Sequence, residues 1–174
     1  ISIEARLWDL KNTQNREISS ASKRYGSEET EEGARLIAHQ FADAIVELIG
    51  GGIHGVALTK IAFVSDRTGS KELYVMDYDG NDPHALTGYK SIVLTPAWSP
   101  DGEKIAFTSF RQGSADIEVM SRLDRHPFPF QKAGGTTTTP NWSPDGSKIV
   151  FATSRDGADT EIYQADWNGR NFRR

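Results

Sequence analysis

The sequence predicts a mostly β protein in which a small α+β domain precedes a run of repeated β-sheet units. The string Trp98-Ser-Pro-Asp-Gly102 recurs at residues 142–146, which is 44 residues later. A lysine and a short apolar run follow each copy, and the related run Lys60-Ile-Ala-Phe63 lies 44 residues before the first of these runs. A fixed period in the forties is typical of repeat folds.

The first 25 residues predict two strands. Ile1, Ile3, Ala5 and Leu7 alternate with polar residues, which indicates a half-buried strand. Lys11 to Asn15 are polar and predict a turn. Residues 16–25 then form the partner strand of a hairpin.

A helix follows these strands. Ser27 is the expected N-cap, and glutamates 28, 29, 31 and 32 would place negative charge at the positive end of the helix. An apolar face repeats at helical spacing, with its members at positions 37, 41, 45 and 48. Gly50 to Gly52 predict the end of the helix. Residues 1–52 are therefore interpreted as the end of a small α+β domain, and His39 as an ordinary histidine outside the apolar face.

Each repeat predicts four short strands. In the first copy the strands are residues 60–65, 72–77 and 84–87, and the strand near Thr95 begins the next unit. The first copy therefore lacks an innermost strand before Lys60. Four strands in about 44 residues form one blade of a β-propeller. Residues 53–174 are therefore predicted to be an incomplete β-propeller of about two and a half to three four-stranded blades.

The repeated motifs themselves predict structural roles. Proline, glycine, serine and aspartate are turn residues, and the tryptophan can fill space between blades. Arg67, Arg111 and Arg155 recur at the same repeat position, so we expect hydrogen bonds or salt bridges inside the repeats. Residues 126–130 (His-Pro-Phe-Pro-Phe) predict an outer strand, since prolines are tolerated at a sheet edge.

The sequence contains no pattern typical of a thiol, metal or serine-hydrolase site. Cysteine is absent, the four histidines lack metal-site spacing, and there is no Gly-x-Ser-x-Gly motif. The net charge of −4 argues against nucleic-acid binding. Asp77 to Asp82 resemble the start of a calcium loop, but the twelfth position is Gly88 where an EF-hand loop has glutamate, which favours an ordinary turn. We therefore expect no catalytic site, cofactor or metal.

The segments that enter the innermost strands are the best candidates for binding. An innermost strand lines the propeller channel, so its entry loop opens at the channel mouth. These loops are predicted at Gly88 to Thr95 and at Gly134 to Thr139.

The motifs resemble the WD40-like repeats of the TolB family. The resemblance rests on the repeated Trp-Ser-Pro-Asp-Gly string, on Ser65-Asp-Arg-Thr-Gly69 and on Glu72-Leu-Tyr-Val-Met-Asp-Tyr-Asp-Gly80. Residues 37–45 are similar to the helix that closes the first domain of that family. The helix joined directly to the first blade is the more specific sign.

The resemblance implies a non-enzymatic, periplasmic component of the Tol–Pal envelope system. Its propeller would bind Pal, a peptidoglycan-associated lipoprotein, and an N-terminal segment outside this sequence would bind a TolA-like protein. The site residues that it implies are Ile92, Thr95, Thr138 and Thr139. Two alternatives remain open: the propeller of a prolyl-oligopeptidase-like peptidase, and a surface propeller that binds glycans.

The repeat count predicts an unfinished ring. The 115 residues from Lys60 to Arg174 hold fewer than three repeats of 44 residues, whereas the TolB-like ring has six blades. We therefore expect a fragment. Because unclosed blades expose strand edges, it is expected to self-associate, for example as a two-fold dimer.

Overall fold

A computed structural model describes residues 1–11, 14, 17–18, 22–157 and 159–174. The chain divides into two compact units. The first contains residues 1–60 and 77–81, and the second contains residues 61–76 and 82–174. The domain boundary after residue 52 stays a prediction.

The first unit contains a short hairpin-like pair of strands. Strand β1 (Ser2–Ala5) pairs antiparallel with β2 (Lys23–Gly26). Both strands are shorter than expected. An isolated antiparallel β-bridge also pairs Trp8 with Glu17. Most of the predicted turn, and the predicted start of the second strand at position 16, lie outside the described residues.

Helix α1 (Glu31–Ile49) begins later than predicted. Its N-cap is Thr30, whose hydroxyl accepts a hydrogen bond from the Gly33 N–H at 3.0 Å, so the prediction of Ser27 was wrong. The Ser27 N–H instead donates to the Ile1 carbonyl at 3.0 Å and prolongs the strand pairing. Only Glu31 and Glu32 of the predicted acidic run lie in the first helical turn.

The remaining helix predictions hold in part. Ile37 is 2% exposed, and Phe41 packs edge-on against Tyr25 with ring centroids 6.0 Å apart. Leu48 is 38% exposed, so the buried face is shorter than the sequence pattern. Gly50 is the C-cap and Gly51 has φ 67°, the left-handed conformation that ends many helices. Among the described residues, no helix has both the length and the apolar character to cross a membrane.

The second unit contains three antiparallel sheets built from the repeats. The first has the order β3-β4-β5, the second β6-β7-β8-β9 and the third β10-β11-β12. The strands are β3 (Lys60–Ser65), β4 (Glu72–Asp77), β5 (His84–Ala85), β6 (Val93–Trp98), β7 (Lys104–Ser109), β8 (Asp116–Ser121), β9 (Pro127–Phe128), β10 (Thr137–Trp142), β11 (Lys148–Thr153) and β12 (Glu161–Asp166).

Successive sheets pack face to face around two apolar cores. Ile105 and Phe107 of β7 belong to the core shared with the first sheet, while Ala106 between them belongs to the core shared with the third. All three side chains are fully buried, which explains the continuous apolar run in this repeat. The equivalent of Ala106 in the third sheet is Val150, which is 42% exposed. These sheets confirm the mostly β, incomplete propeller fold.

The repeated turn motif has the structural role that the sequence predicts. The Ser99 hydroxyl accepts from the Lys104 N–H at 2.9 Å, and the equivalent Ser143 hydroxyl accepts from the Lys148 N–H at 3.0 Å. Gly102 and Gly146 have φ 69° and 70°. The Trp142 indole N–H donates to the Ala97 carbonyl at 3.1 Å, which joins the innermost strands of two sheets.

Within the described residues, only the middle sheet has all four predicted strands. Strand β5 ends at Ala85 and not at Thr87, whereas β9 confirms the predicted proline-containing outer strand. Strand β3 stands at an edge of the first sheet, as expected for a repeat that lacks its innermost strand. Self-association through open edges stays a prediction.

Candidate functional site

Thr95 and Thr139 occupy equivalent bulges in innermost strands. Pairing between β6 and β7 shifts register between Leu94 and Ala97, and pairing between β10 and β11 shifts between Thr138 and Asn141. Thr95 has φ 49° and Thr139 has φ 53°. Positive φ is rare for a β-branched residue, and such conformations cluster at functional sites. Each threonine precedes a proline, which has no N–H to donate to the sheet.

The structure corrects the predicted location of these residues. Thr95, Thr138 and Thr139 were expected in entry loops, but they lie inside β6 and β10. The strands begin earlier because the peptide groups before each bulge already pair. Val93 is opposite Ser109, and Thr137 is opposite Thr153. These threonines, of which Thr95 and Thr139 are exposed, are therefore held by a sheet and not by a loop.

A buried hydroxyl connects the two bulges. The Thr108 Oγ1 lies 2.9 Å from the Thr95 Oγ1 and accepts a hydrogen bond from the Thr139 N–H at 3.0 Å. Thr108 is 1% exposed, and its equivalents in the other repeats are Val64 and Ala152. Sequence pattern does not single out Thr108. Its only signal is a hydroxyl at a position where the neighbouring repeats are apolar.

The other two predicted residues flank this link. Ile92 is 46% exposed and precedes β6, where its carbonyl accepts from the Phe110 N–H at 2.9 Å. Thr138 is half-buried and pairs with Ala152. Among the described residues, the Thr108 hydroxyl contacts Thr95 and Thr139 only. Ile92 and Thr138 therefore take no part in this link.

The segment before β6 is anchored by buried polar groups. The Lys90 N–H donates to the Glu72 carboxylate at 2.7 Å, and the Thr87 hydroxyl donates to the same carboxylate at 2.6 Å. Glu72 is 3% exposed, so these bonds compensate for its burial. The Tyr89 hydroxyl donates to Glu118 at 3.1 Å, and burial followed by the nearby Glu118 charge raises the pKa of Tyr89 to about 12. The phenol is therefore a neutral donor at physiological pH.

The repeated arginines form the predicted polar contacts within the propeller unit, since the Arg67 Nε donates to the Ser65 hydroxyl at 3.2 Å and Arg155 pairs with Asp156 at 3.4 Å. Each arginine also lies over an aromatic ring. Arg67 lies over the Tyr74 ring at 4.9 Å, Arg111 over the Tyr89 ring at 4.5 Å and Arg155 over the Phe172 ring at 4.9 Å. Arg111 also forms a 2.7 Å salt bridge with Glu118. Cation–π contacts of this kind depend on tertiary packing, which repeat spacing does not reveal.

The Asp77 to Asp82 segment is a tight turn with paired carboxylates. The Asp77 N–H donates to the Asn81 carbonyl at 2.8 Å, and Gly80 has φ 87°. Asp79 contacts Arg35 and accepts from His39 at 3.2 Å, and the hydrogen bond from the Asn81 N–H is the largest of the effects that lower its pKa. Within the described ranges, no group of three or more His, Cys, Asp or Glu residues could hold a metal ion.

The chain is similar to proteins of a known family. The family model described as the TolB β-propeller domain matches residues 47–174. The Tol-Pal system protein TolB of Geobacter sulfurreducens is 41% identical over 104 residues, which is 60% of this chain and 22% of that protein. The TolB homolog of Chlorobium chlorochromatii is 45% identical over 80 residues, which is 46% of this chain and 18% of that protein.

A solved structure agrees with these sequence matches. The crystal structure of TolB from Acinetobacter baumannii superposes with a TM-score of 0.79 at 25% identity, and it covers 99% of this chain and 42% of that one. The chain therefore spans less than half of that TolB, and the segments matched to the two curated relatives span less than a quarter of those proteins. Because the propeller model matches more than half of its residues, the chain belongs to the TolB β-propeller family.

Proposed function

We propose that this chain is part of a periplasmic, non-enzymatic component of a Tol–Pal envelope system. The named relatives support this proposal, because the Geobacter sulfurreducens protein is a Tol-Pal system protein. A role for a TolA-like protein belongs to the same proposal, and it would require a segment outside this sequence.

The propeller unit binds a Pal-like lipoprotein through the innermost strands of its second and third sheets. The observation that carries this assignment is the pair of exposed bulges at Thr95 and Thr139, held together by buried Thr108. A fixed pair of protruding residues limits the entropy that binding would remove. Ile92 adds an exposed apolar side chain, and Thr138 precedes the second bulge.

Isothermal titration calorimetry with the soluble domain of a Pal-like lipoprotein tests this function. We expect saturable binding to the native chain and a loss of at least about tenfold for Thr139→Arg, because a long charged side chain would meet the partner at the bulge. Thr160→Arg is the matched control, since Thr160 is also an exposed threonine of the same unit. Absence of binding to the native chain, or equal losses for both variants, would contradict the proposal.

A second experiment addresses the location. Antibody detection after osmotic shock of cells that express the complete gene should find the protein in the shock fluid. Retention with cytoplasmic markers would contradict a periplasmic component.

A further inference from the structure

The two segments that lead into the innermost strands share one backbone arrangement. The Val93 N–H donates to the Lys71 carbonyl at 2.9 Å, and in the next repeat the Thr137 N–H donates to the Ala115 carbonyl at 3.0 Å. Donors and acceptors are each 44 positions apart. Because the two entry segments are built alike, a comparison of their side chains shows what is particular to each.

Lys90, in the first entry segment, adopts a conformation that usually requires glycine. Its φ is 54°, and the equivalent residue of the next repeat is Gly134, with φ 83°. A side chain in this region is strained, because its Cβ comes close to a carbonyl oxygen of the backbone. The Lys90 N–H donates to the buried Glu72 carboxylate at 2.7 Å, which holds the strained residue in place. Residues kept in such conformations cluster at functional sites, so the lysine side chain is a candidate for binding.

The charges of Lys71 and Lys90 distinguish them from the other lysines of the repeats. In the described part of the chain, every other lysine from position 60 onward forms a salt bridge with a carboxylate; these are Lys60, Lys104, Lys132 and Lys148. Lys71 and Lys90 form none with any described residue, and both are exposed. Their ammonium groups are therefore free to meet a ligand.

The acidic groups beside this segment are already engaged. Glu72 is buried, and its carboxylate accepts two hydrogen bonds. Glu118 pairs with Arg111 at 2.7 Å. Ile92, which is 46% exposed, follows Lys90 by two residues. Although the whole chain has a net charge of −4, the first entry segment thus presents unpaired cations next to an exposed apolar side chain.

We propose that Lys71 and Lys90 bind carboxylate groups of the partner protein, and that an apolar side chain beside these carboxylates packs on Ile92. The partner surface that meets the first bulge is therefore acidic, because complementary charge steers association and selects partners. The surface that meets the second bulge has no such requirement, since the equivalent positions of the next repeat hold alanine, glycine and threonine. This inference rests on the proposed function, because it assigns the chemistry of the partner at the same binding site.

An acidic peptide tests the charge requirement without Pal. The probe is the end-blocked peptide Glu-Leu-Glu-Leu-Glu, added at millimolar concentration to the isotope-labelled native chain. We expect saturable shifts of the NMR signals of the backbone amides of residues 88–95. The peptide Gln-Leu-Gln-Leu-Gln is the matched control, and it should bind about tenfold more weakly, which corresponds to the loss of two exposed ion pairs.

Protein variants locate the carboxylate site. Lys71→Gln combined with Lys90→Gln should weaken binding of the acidic peptide about tenfold and leave binding of the glutamine peptide unchanged. Lys132→Gln combined with Lys148→Gln is the matched control, because both of these lysines are exposed but already paired with carboxylates. The control pair should leave binding of the acidic peptide unchanged.

Lys90→Gly separates binding from folding. It copies Gly134 and relieves the strain of the positive φ, so the melting temperature should rise by about 2–4 °C. The same variant should weaken binding of the acidic peptide, because it removes one of the two cations. A marked fall in the melting temperature would show that Lys90 serves the fold, and it would overturn the inference.

Titration with the soluble domain of a Pal-like lipoprotein connects the site to the proposed function. The variant without Lys71 and Lys90 should bind this domain about tenfold more weakly at low salt, mainly through slower association, and the difference should shrink at high salt. If the native chain binds the acidic peptide but not the Pal-like domain, the proposed function fails and the carboxylate site stands.

Four further results would overturn the inference. They are the absence of shifts at residues 88–95 with the acidic peptide, equal binding of the two peptides, equal losses from the two double variants, and binding of the Pal-like domain that does not change when both lysines are replaced.

Discussion

Removal of the Thr108 hydroxyl tests directly whether this residue holds the two bulges together. Thr108→Val keeps the shape of the side chain and copies Val64 of the first repeat. It removes the 2.9 Å contact with Thr95 and the acceptor of the 3.0 Å bond from the Thr139 N–H. Two hydrogen bonds contribute about 1 kcal/mol each. The additional buried methyl offsets up to about 0.8 kcal/mol. We therefore expect the free energy of unfolding to fall by about 1–2 kcal/mol.

Urea denaturation followed by tryptophan fluorescence measures this loss. A double-mutant cycle with Thr95→Ala isolates the hydroxyl pair and should give a coupling of about 0.5–1 kcal/mol, as expected for residues in contact. Hydrogen exchange at the Thr139 amide should also become faster in Thr108→Val. Additive free energies together with unchanged exchange would refute the link between the bulges.

Three further predictions follow from the second unit. Thr87→Val removes a donor to buried Glu72 and the acceptor of the Leu73 N–H, so the free energy of unfolding should fall by about 2 kcal/mol in urea denaturation. Thr136→Val, at an exposed position, should change the free energy of unfolding by less than about 0.5 kcal/mol. Equal effects of the two substitutions would contradict a stabilising role for the Thr87 hydroxyl. Arg111→Lys keeps the charge but loses the planar contact with Tyr89 and the 2.7 Å salt bridge between its Nε and Glu118, and it should lower stability by about 1 kcal/mol; an unchanged urea midpoint would contradict this. The Ser143 hydroxyl, followed by the Ser147 groups, lowers the pKa of Asp145 to about 2 from 3.8. A carboxyl with a lowered folded-state pKa stabilises the fold above its unfolded pKa and loses that contribution as the pH falls, here between about pH 4 and pH 2. The melting temperature of Asp145→Asn should therefore depend less on pH in that interval than that of the native chain, and parallel curves would disprove the coupling.

Much of the propeller fold could be predicted because the same pattern recurs in several repeats, so that each copy supports the interpretation of the others. The strand bounds 60–65 and 72–77 were correct, since the same apolar pattern and turn residues recur at the same spacing. The first 30 residues have no second copy to compare. Thr30, and not Ser27, caps the helix, because the helix begins only at Glu31, while the Ser27 backbone pairs with Ile1. Strands β1 and β2 also pair over only four residues each.

The equivalence of the two bulge residues could be predicted from the repeat, but their place inside strands and the bonds that hold them could not. Repeat spacing identified Thr95 and Thr139 as equivalent residues near the start of innermost strands. It could not show that each has positive φ, because bulges are set by pairing with the neighbouring strand. It also gave no reason to connect them through Thr108, which lies in β7 between the two bulges in sequence and binds both.

The fold class, the 44-residue period and the structural role of the Trp-Ser-Pro-Asp-Gly turns could be predicted without the structure, because they depend on local turn chemistry and on alternation of apolar residues. Which polar groups meet depends on the tertiary structure. It placed arginines over aromatic rings and buried Glu72 beneath Thr87 and Lys90. Some of these contacts lie within one repeat and others, such as that of Arg111 with Tyr89, join neighbouring sheets, but all of them join side chains from different strands or turns, so local sequence patterns do not reveal them.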